Sequence, residues 1–302
     1  MNDAKTTVAV IGTGDMGAAV GGALVRAGYR VVTAGHGRSA ASRAFAADAG
    51  VEDLGTLADV VRAASLVLSI VPPAAATEFA AQAVDAMRKT GARPAFADCN
   101  AVAPATVRAI EATVASIGAP FIDVGIVGRG PRPGGERTRF YASGTARRAV
   151  LDLVVPEIAL VDLGTGIGTA SALKMVYSSL NKGMDALLTT ILLAAERLGV
   201  RPALMQELAG SQAAALARMQ ARVPFLPSTS VRYVPEMAEI AATFDSVGVT
   251  PDFHRGAEWL YALLASTPLA AETRATQPRE RSLDAAMAVY AEALERAAGE
   301  RR

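Results

Sequence analysis

Three glycines near the start of the chain constrain its fold more than any other feature. Residues 8–11 (VAVI) form a continuous, mostly β-branched run, which is typical of a strand buried on both faces. Gly12, Gly14 and Gly17 follow directly, and the segment from about Asp15 to Ala27 is rich in alanine, valine and leucine and ends at a glycine. We therefore predict a strand, a glycine-rich turn and a helix in that order.

Each glycine has its own task in such a turn. Gly12 permits a tight turn, Gly14 lets the backbone approach a pyrophosphate, and Gly17 lets the helix pack closely against the strand. The helix N-terminus adds free N–H groups and partial positive charge. Because the glycines lie between a strand and a helix, we predict a bound dinucleotide cofactor rather than a chance glycine-rich turn. The predicted cofactor contacts in this loop are Gly12, Thr13, Gly14, Asp15, Met16 and Gly17.

The end of the second predicted strand, Tyr29–Thr33, bears on the choice of cofactor. An acid there accepts hydrogen bonds from the ribose 2′-hydroxyl and repels a 2′-phosphate, yet no acid follows before Asp48. Arg38 and Arg43 occur instead, and a guanidinium binds a phosphate through two charge-assisted hydrogen bonds. Ser39 adds a hydroxyl at the start of the next predicted helix. We therefore predict NADP (NADPH) as the cofactor, with two solvated surface arginines as the alternative.

Strands and helices alternate through the first half of the chain. Predicted strands at 66–71, 95–98 and 121–124 are separated by predicted helices, which is typical of a parallel sheet with helices on both faces. The remainder of the chain has an almost wholly helical pattern. The sequence thus predicts an α/β fold, with a Rossmann-type doubly wound parallel sheet over residues 1–165 and an all-helical substrate and dimerisation domain over residues 166–302.

Loops at the carboxyl ends of the strands are where such sheets bind ligands. Val71 and Pro72 follow one predicted strand and Asn100 follows the next. We predict that all three border the cofactor and that Asn100 also borders the substrate. His36 follows the second strand and is interpreted either as an adenine contact or as an ordinary exposed histidine.

Composition restricts the classes of function. The chain has 302 residues and a formal net charge of +1, with scattered arginines, so we expect no nucleic-acid partner. Its most apolar stretch, residues 186–195, is about half the length needed to cross a bilayer. Cys99 is the only cysteine and there are two histidines, which is typical of a reducing cytoplasm and gives a metal site little support. We expect a cytoplasmic protein with a small-molecule substrate, no metal and no membrane partner.

Five motifs along the chain, taken together, resemble one enzyme family. They are VAVIGTGDMG at 8–17, VPP at 71–73, DCNAVAP at 98–104, FIDVGIVG at 121–128 and GIGTASALKMVYSSLNKG at 166–183. In this order they resemble the β-hydroxyacid dehydrogenases, the group related to 6-phosphogluconate dehydrogenase. The segments 236–244 and 253–261 are similar to the helical C-terminal domain of a poorly characterised branch of that group.

The resemblance implies that Lys174 is the catalytic residue. In the family a lysine at this point of the interdomain helix lies beside the nicotinamide and acts as general acid or base on the substrate oxygen. Hydride reduction of a carbonyl leaves negative charge on its oxygen, which a nearby ammonium neutralises and protonates. Without the resemblance, a solvent-facing helix lysine would be the ordinary interpretation.

The resemblance also implies substrate contacts, although this chain departs from the family pattern at several of them. Arg129 is predicted either to bind a carboxylate, which suits a small 3-oxo or 3-hydroxy acid, or to lie in a mobile basic loop. Val127 replaces a serine of the family, and this replacement alternatively indicates a less polar substrate, an uncharged ketone or an aldehyde. The predicted substrate contacts are Asn100, Gly125, Val127, Gly128, Arg129, Ser178 and Asn181.

Two other functions stay open, as does the state of assembly. An imine reductase has the same architecture and uses NADPH, but members of that group usually carry another residue at the position of Lys174. A non-catalytic NADPH sensor would need only the first domain. Residues 169–198 can form a helix roughly 45 Å long, more than a small domain needs, so we predict a homodimer formed mainly by the helical domain.

Overall fold

The computed structural model describes residues 6–273, 276–278 and 280–299. The chain forms two compact units, residues 1–175 and 176–302. The first unit contains the sheet and the helices that cover it, and the second is helical. Over the described ranges, no helix combines the length and the apolar character needed to cross a membrane.

Eight strands form one sheet in the first unit. They are β1 (Thr7–Ile11), β2 (Arg30–Thr33), β3 (Glu52–Asp53), β4 (Leu66–Ser69), β5 (Ala95–Asp98), β6 (Phe121–Val127), β7 (Thr138–Ser143) and β8 (Ile158–Asp162). Their spatial order is β3-β2-β1-β4-β5-β6-β7-β8. Neighbouring strands are parallel except β6 and β7, which are antiparallel. The predicted doubly wound α/β sheet is confirmed.

Three of these strands give little signal in the sequence. β3 has two residues, and β7 and β8 follow a segment rich in glycine, proline and arginine. β6 also continues beyond its predicted end at Val124, because Val127 pairs with Arg139 of the antiparallel strand β7. The extra strands therefore depend on pairing between distant segments rather than on local sequence.

The core of the first unit has one layer on each face of the sheet. Val8 and Val10 pack in one layer and Ala9 and Ile11 in the other, all fully buried, because successive strand residues point to opposite faces. Full burial of a valine or isoleucine side chain contributes about 1.5–3 kcal/mol. The helices that accompany the strands are α1 (Asp15–Arg26), α2 (Ala40–Asp48), α3 (Leu57–Ala63), α4 (Ala76–Thr90), α5 (Pro104–Ala115) and α6 (Arg148–Leu151).

A long helix, α7 (Thr169–Arg197), begins in the first unit and continues into the second. Within the second unit, Tyr261 and Tyr290 are fully buried. Lys182 and Glu236 form an ion pair there, with Nζ 2.8 Å from Oε2 and side-chain exposures of 12% and 9%. The other helices of this unit are α8 (Arg201–Ser211), α9 (Ala213–Arg222), α10 (Pro227–Asp245), α11 (Asp252–Ala265) and α12 (Leu283–Gly299).

Candidate active site

The glycine loop after β1 and the first turn of α1 each have one position at which only glycine fits. Gly12 has a φ of +94°, and a β-carbon there would lie 2.3 Å from the carbonyl oxygen of Ile70. At Gly17 the same atom would lie 2.1 Å from the carbonyl oxygen of Gly12. Both distances are far below van der Waals contact, so any larger residue would displace the loop or the helix behind it.

Gly14 differs, because the protein itself leaves room for a side chain there. A β-carbon on Gly14 would meet no protein atom within 4 Å, and the residue is exposed. Gly14 is the N-cap of α1, where the first N–H groups of a helix have no partner within the helix. The open space beside Gly14 therefore adjoins a helix N-terminus and fits a pyrophosphate. The loop fits the predicted dinucleotide.

The remaining loop residues have different surroundings. The hydroxyl of Thr13 is 2.9 Å from both the carbonyl and the hydroxyl oxygen of Ser42 in α2, and Thr13 is buried. Asp15 is exposed in the first turn of α1, and the half-buried Met16 packs against the core. The side chain of Thr13 thus joins the glycine loop to α2, while its backbone remains part of the loop.

The segment after β2 carries the residues that the sequence predicts for the adenosine end of the cofactor. Ser39 caps α2, accepting a 3.2 Å hydrogen bond from the N–H of Ser42. The guanidinium of Arg43 donates to the carbonyl of Arg38. Arg38 is half-buried, and His36 is exposed. The structure therefore brings Arg38, Ser39 and Arg43 together in one turn at the carboxyl end of β2.

An acid that the sequence reasoning missed also lies at this end of β2. Asp53, the last residue of β3, pairs with Thr33 at the end of β2. Its Oδ1 accepts hydrogen bonds from the N–H of Gly35 (2.7 Å) and of Gly55 (2.8 Å). In the sequence, Asp53 followed by Gly55 indicates a turn, but nothing there indicates that Asp53 lies beside the end of β2. The acid comes from the neighbouring strand rather than from β2 itself.

Asn100 joins the ends of β4 and β5. Its side-chain oxygen accepts a 2.7 Å hydrogen bond from the N–H of Val71. Its amide nitrogen donates to the hydroxyl of Ser69 (3.1 Å) and to Asp98 (2.7 Å). Asn100 is buried and Pro72 is exposed. The Asn100 amide therefore fixes the start of the Val71–Pro72 loop through contacts with protein groups.

A buried carboxylate, Asp123, joins β6 to the N-terminus of α7. Its Oδ2 accepts hydrogen bonds from the N–H groups of Gly168 (2.9 Å), Ala170 (3.1 Å) and Ser171 (3.2 Å). The hydroxyls of Ser143 (3.0 Å) and Ser171 (2.6 Å) also bond to it. An anion at a helix N-terminus is favourable, because it meets unpaired N–H groups and the positive end of the helix dipole. Sequence reasoning missed this role.

Lys174 lies one turn further along α7, and its ammonium donates to the carbonyl of Ile126 in β6. Lys174 is half-buried. The helix approaches β6 closely because residue 125 is glycine: a β-carbon on Gly125 would lie 2.7 Å from the carbonyl oxygen of Ala170 and 3.2 Å from the β-carbon of Lys174. Gly125 and Lys174, predicted separately, are therefore in contact.

The other predicted substrate residues lie in two places. Val127 is buried at the end of β6, whereas Gly128 (φ +117°) and Arg129 are exposed in the following loop. Ser178 and Asn181 belong to the second unit, where Ser178 is buried and the carbonyl of Asn181 accepts a 3.1 Å hydrogen bond from Arg218. The first unit thus brings Gly125, Val127, Gly128 and Arg129 to one strand end, and Ser178 and Asn181 lie outside that unit.

The described residues contain neither an activated cysteine nor a cluster of metal-binding side chains. Burial, together with the nearby charges of Asp98 and Asp123, raises the pKa of the Cys99 thiol well above its usual range, so the thiolate that reacts or binds metals is disfavoured. No group of three or more histidine, cysteine, aspartate or glutamate side chains within residues 6–273, 276–278 and 280–299 is placed to hold a metal ion.

Two family models match the chain. Residues 7–148 match the NAD binding domain of 6-phosphogluconate dehydrogenase. Residues 195–264 match a domain of unknown function, DUF1932. The curated proteins include no match to this sequence. The resemblance inferred from the motifs is therefore confirmed for the nucleotide-binding part, and the helical part carries the poorly characterised domain.

Solved structures extend the likeness over nearly the whole chain. A conserved hypothetical protein from Sinorhizobium meliloti 1021 is 29% identical, with 96% of this chain and 97% of that chain covered and a TM-score of 0.62. The 3-hydroxyisobutyrate dehydrogenase of Mycobacterium tuberculosis is 19% identical (94% and 98% covered, TM-score 0.65). An imine reductase from Streptomyces aurantiacus is 18% identical (93% and 98% covered, TM-score 0.55). At such low identity, the dehydrogenase and the imine reductase show that the fold is shared. The chain therefore combines a segment that matches the NAD binding domain of 6-phosphogluconate dehydrogenase with a segment that matches DUF1932, and it has the fold of the 3-hydroxyisobutyrate dehydrogenase and the imine reductase.

Proposed function

We propose that the chain is an NADPH-dependent oxidoreductase that acts on a small carbonyl or hydroxy compound, with Lys174 as general acid or base. The observation that carries this proposal is the position of the half-buried residue Lys174, whose ammonium is bonded to the carbonyl of Ile126 in the unit that also holds the glycine loop. A 3-hydroxy acid or the corresponding 3-oxo acid is the proposed substrate class.

The chemistry assigned to the chain is the handling of charge and protons at the substrate oxygen. Bound NADPH supplies the hydride. As the carbonyl becomes an alkoxide, the Lys174 ammonium stabilises the negative charge and donates a proton, a contribution of about 10²–10⁴ in rate for a positioned acid. In the reverse direction the neutral amine takes the proton from the hydroxyl. Asp123 and Gly125 hold α7 against β6 so that this amine stays at the strand end.

Replacing Lys174 by methionine tests the catalytic assignment. Lys174→Met keeps the length and helix propensity of the side chain but removes the proton and the charge. We expect kcat to fall by about 10²-fold or more while the Kd for NADPH stays within a few-fold. Lys89→Met, which removes an exposed lysine of α4, serves as the control. Unchanged turnover of Lys174→Met would favour the non-catalytic sensor.

The proposed preference for NADPH over NADH depends on Arg38, which Ser39 and Arg43 support. Losing one charged hydrogen-bond partner costs about 1.5–3 kcal/mol, so Arg38→Ala should weaken NADPH binding by about 10- to 150-fold and leave NADH nearly unchanged. Arg62→Ala, which removes an exposed arginine of α3, is the control. Fluorescence titration with each cofactor measures both effects, and equal affinities of the parent protein for the two cofactors would refute the preference.

Arg129 is the proposed partner of a substrate carboxylate. It is exposed and follows the carboxyl end of β6, where a guanidinium can bind a carboxylate with two hydrogen bonds. A panel of carbonyl compounds, screened by NADPH consumption, compares acids with their neutral analogues. Arg129→Leu should raise KM for the best acid and not for the best neutral compound, and Arg132→Leu in the same loop is the control. Equal rates for acids and neutral analogues would indicate a less polar substrate.

Imine reduction is the second candidate activity, favoured by the shared fold with the imine reductase from Streptomyces aurantiacus. Reduction of an imine needs a proton on nitrogen rather than on oxygen, so the two activities differ in the group that Lys174 would serve. Turnover of cyclic imines faster than that of any ketone or aldehyde would favour this alternative.

The proposed assembly is a homodimer formed by the helical unit. Exposed apolar side chains recur every three or four residues along α7, which is the spacing of a helix face that packs against another helix. Leu180→Asp should convert the dimer to a monomer in light scattering at micromolar concentration, whereas Val154→Asp, at an exposed valine of the first unit, should not. A monomeric parent protein would refute the proposal. Within the helical unit, the exposed apolar side chains of α7 are Val176, Tyr177, Leu180, Met184, Leu187 and Ile191.

A further inference from the structure

The carboxylate of Asp53 is held in one orientation at the end of β2. Its Oδ1 accepts hydrogen bonds from two backbone N–H groups, those of Gly35 at 2.7 Å and Gly55 at 2.8 Å. Two bonds to one oxygen fix the plane of the carboxylate and therefore the position of Oδ2. The residue is exposed, so a ligand can reach this carboxylate.

Oδ2 of Asp53 lies where a side chain on residue 35 would begin. A β-carbon on Gly35 would lie 1.9 Å from Oδ2 of Asp53 and 2.6 Å from its Cγ. Gly35 follows β2 by two residues, in the segment where strands of this type carry the acid that contacts the adenosine ribose. Asp53 therefore fills the place in which the side chain of residue 35 would begin, and it brings a negative charge there from β3.

We propose that Asp53 is a specificity-determining residue for the cofactor. Its Oδ2 accepts a hydrogen bond from the ribose 2′-hydroxyl of NADH, and its charge opposes the 2′-phosphate of NADPH. The inference deepens the proposed function and depends on it for the position of the cofactor. Arg38 and Asp53 then act in opposite directions on the same 2′ position, so the preference for NADPH is smaller than Arg38 alone would produce.

Asp53→Asn isolates the charge from the shape. The asparagine oxygen can still accept both backbone hydrogen bonds, so the turn is retained, while an amide replaces the charged Oδ2. We expect NADPH to bind about 10-fold more tightly and NADH about 3-fold more weakly, because repulsion of the phosphate and a charged acceptor for the hydroxyl are lost together. The gain for NADPH should shrink at 1 M salt, where charges are screened over about 3 Å.

Nicotinamide fluorescence titration of the full chain with NADH and NADPH gives the ratio of the two Kd values. Asp48→Asn, at the exposed end of α2, is the matched control and should leave the ratio unchanged. Asp53→Ser keeps a hydrogen-bond acceptor without the charge and should shift the ratio in the same direction, which guards against a folding defect specific to asparagine.

The outcomes separate this inference from the proposed function. An unchanged ratio in Asp53→Asn and Asp53→Ser, with a changed ratio in Arg38→Ala, would refute the role of Asp53 alone. A shifted ratio in the Asp53 variants with no effect of Arg38→Ala would support Asp53 and refute the proposed role of Arg38. A parent protein that binds neither cofactor would overturn both.

Discussion

Replacing Asp123 tests how β6 holds the helix that carries Lys174. The carboxylate accepts five hydrogen bonds, four of them at Oδ2. In Asp123→Asn the amide oxygen can take the place of Oδ2 and keep those four bonds, and the Ser171 hydroxyl can rotate to accept from the new amide. What is lost is the charge, which makes a hydrogen bond roughly twice as strong.

The expected loss of stability follows from the number of hydrogen bonds to Asp123. A hydrogen bond to a charged group contributes about 1.5–3 kcal/mol and a neutral one about 0.5–1.5 kcal/mol. Part of the lost attraction is offset, because a neutral amide is less costly to bury than a carboxylate. We therefore expect Asp123→Asn to lower the free energy of unfolding by about 2 kcal/mol. Asp123→Ala, which leaves buried N–H groups without an acceptor, should lower it by about 4 kcal/mol or more.

Urea denaturation followed by circular dichroism measures both variants. Hydrogen exchange of the amides of Gly168, Ala170 and Ser171 should accelerate in Asp123→Ala, because these are the groups that lose their acceptor. Asp152→Asn, at an exposed aspartate after α6, is the control and should behave as the parent protein. Equal unfolding midpoints for parent and Asp123→Ala would show that the carboxylate does not stabilise the start of α7.

Three further outcomes are expected. Gly125→Ala should lower kcat and the melting temperature together, because its methyl group meets the carbonyl of Ala170 at 2.7 Å, and an unchanged enzyme would refute that contact. Glu236→Gln, which leaves half-buried Lys182 without its charged partner, should cost about 3 kcal/mol of stability, and adding Lys182→Met should recover part of it in urea denaturation. Burial lowers the pKa of His254, so the unfolded chain binds a proton that the folded chain does not as pH falls below about 6.5. Stability is thus lost toward low pH, and His254→Gln should reduce that loss in melting curves from pH 7 to 5. An undiminished loss in this variant would contradict a contribution from His254.

The sequence predicts a feature well when the residues that form it lie close together along the chain. Gly12, Gly14 and Gly17 lie within a few residues of the strand and helix that they join, so the spacing alone indicated the loop. Lys174 was found only through the resemblance, because its partner Ile126 is remote in sequence.

Contacts between distant segments explain what was missed. The search for an acid followed the chain beyond β2, whereas Asp53 reaches the same place from β3, a two-residue strand without a recognisable pattern. Asn100 is predicted as a ligand contact and stays so, while its amide also bonds to Val71, Ser69 and Asp98, a supporting role that the sequence did not indicate. A polar side chain near a ligand loop looks the same in the sequence whether it faces the ligand or supports the loop.

The hydrogen bonds to Asp123 determine where the chain can be cut without loss of contacts to the sheet. A fragment that ends at residue 165 would contain all eight strands, since β8 ends at Asp162. It would lack Gly168, Ala170 and Ser171, which make four of the five bonds to Asp123, and would lose their contribution to the stability of this end of the sheet. The bonding of Asp123 is thus complete only when the chain extends at least to residue 171, so a fragment meant to contain the whole sheet should include the first turn of α7.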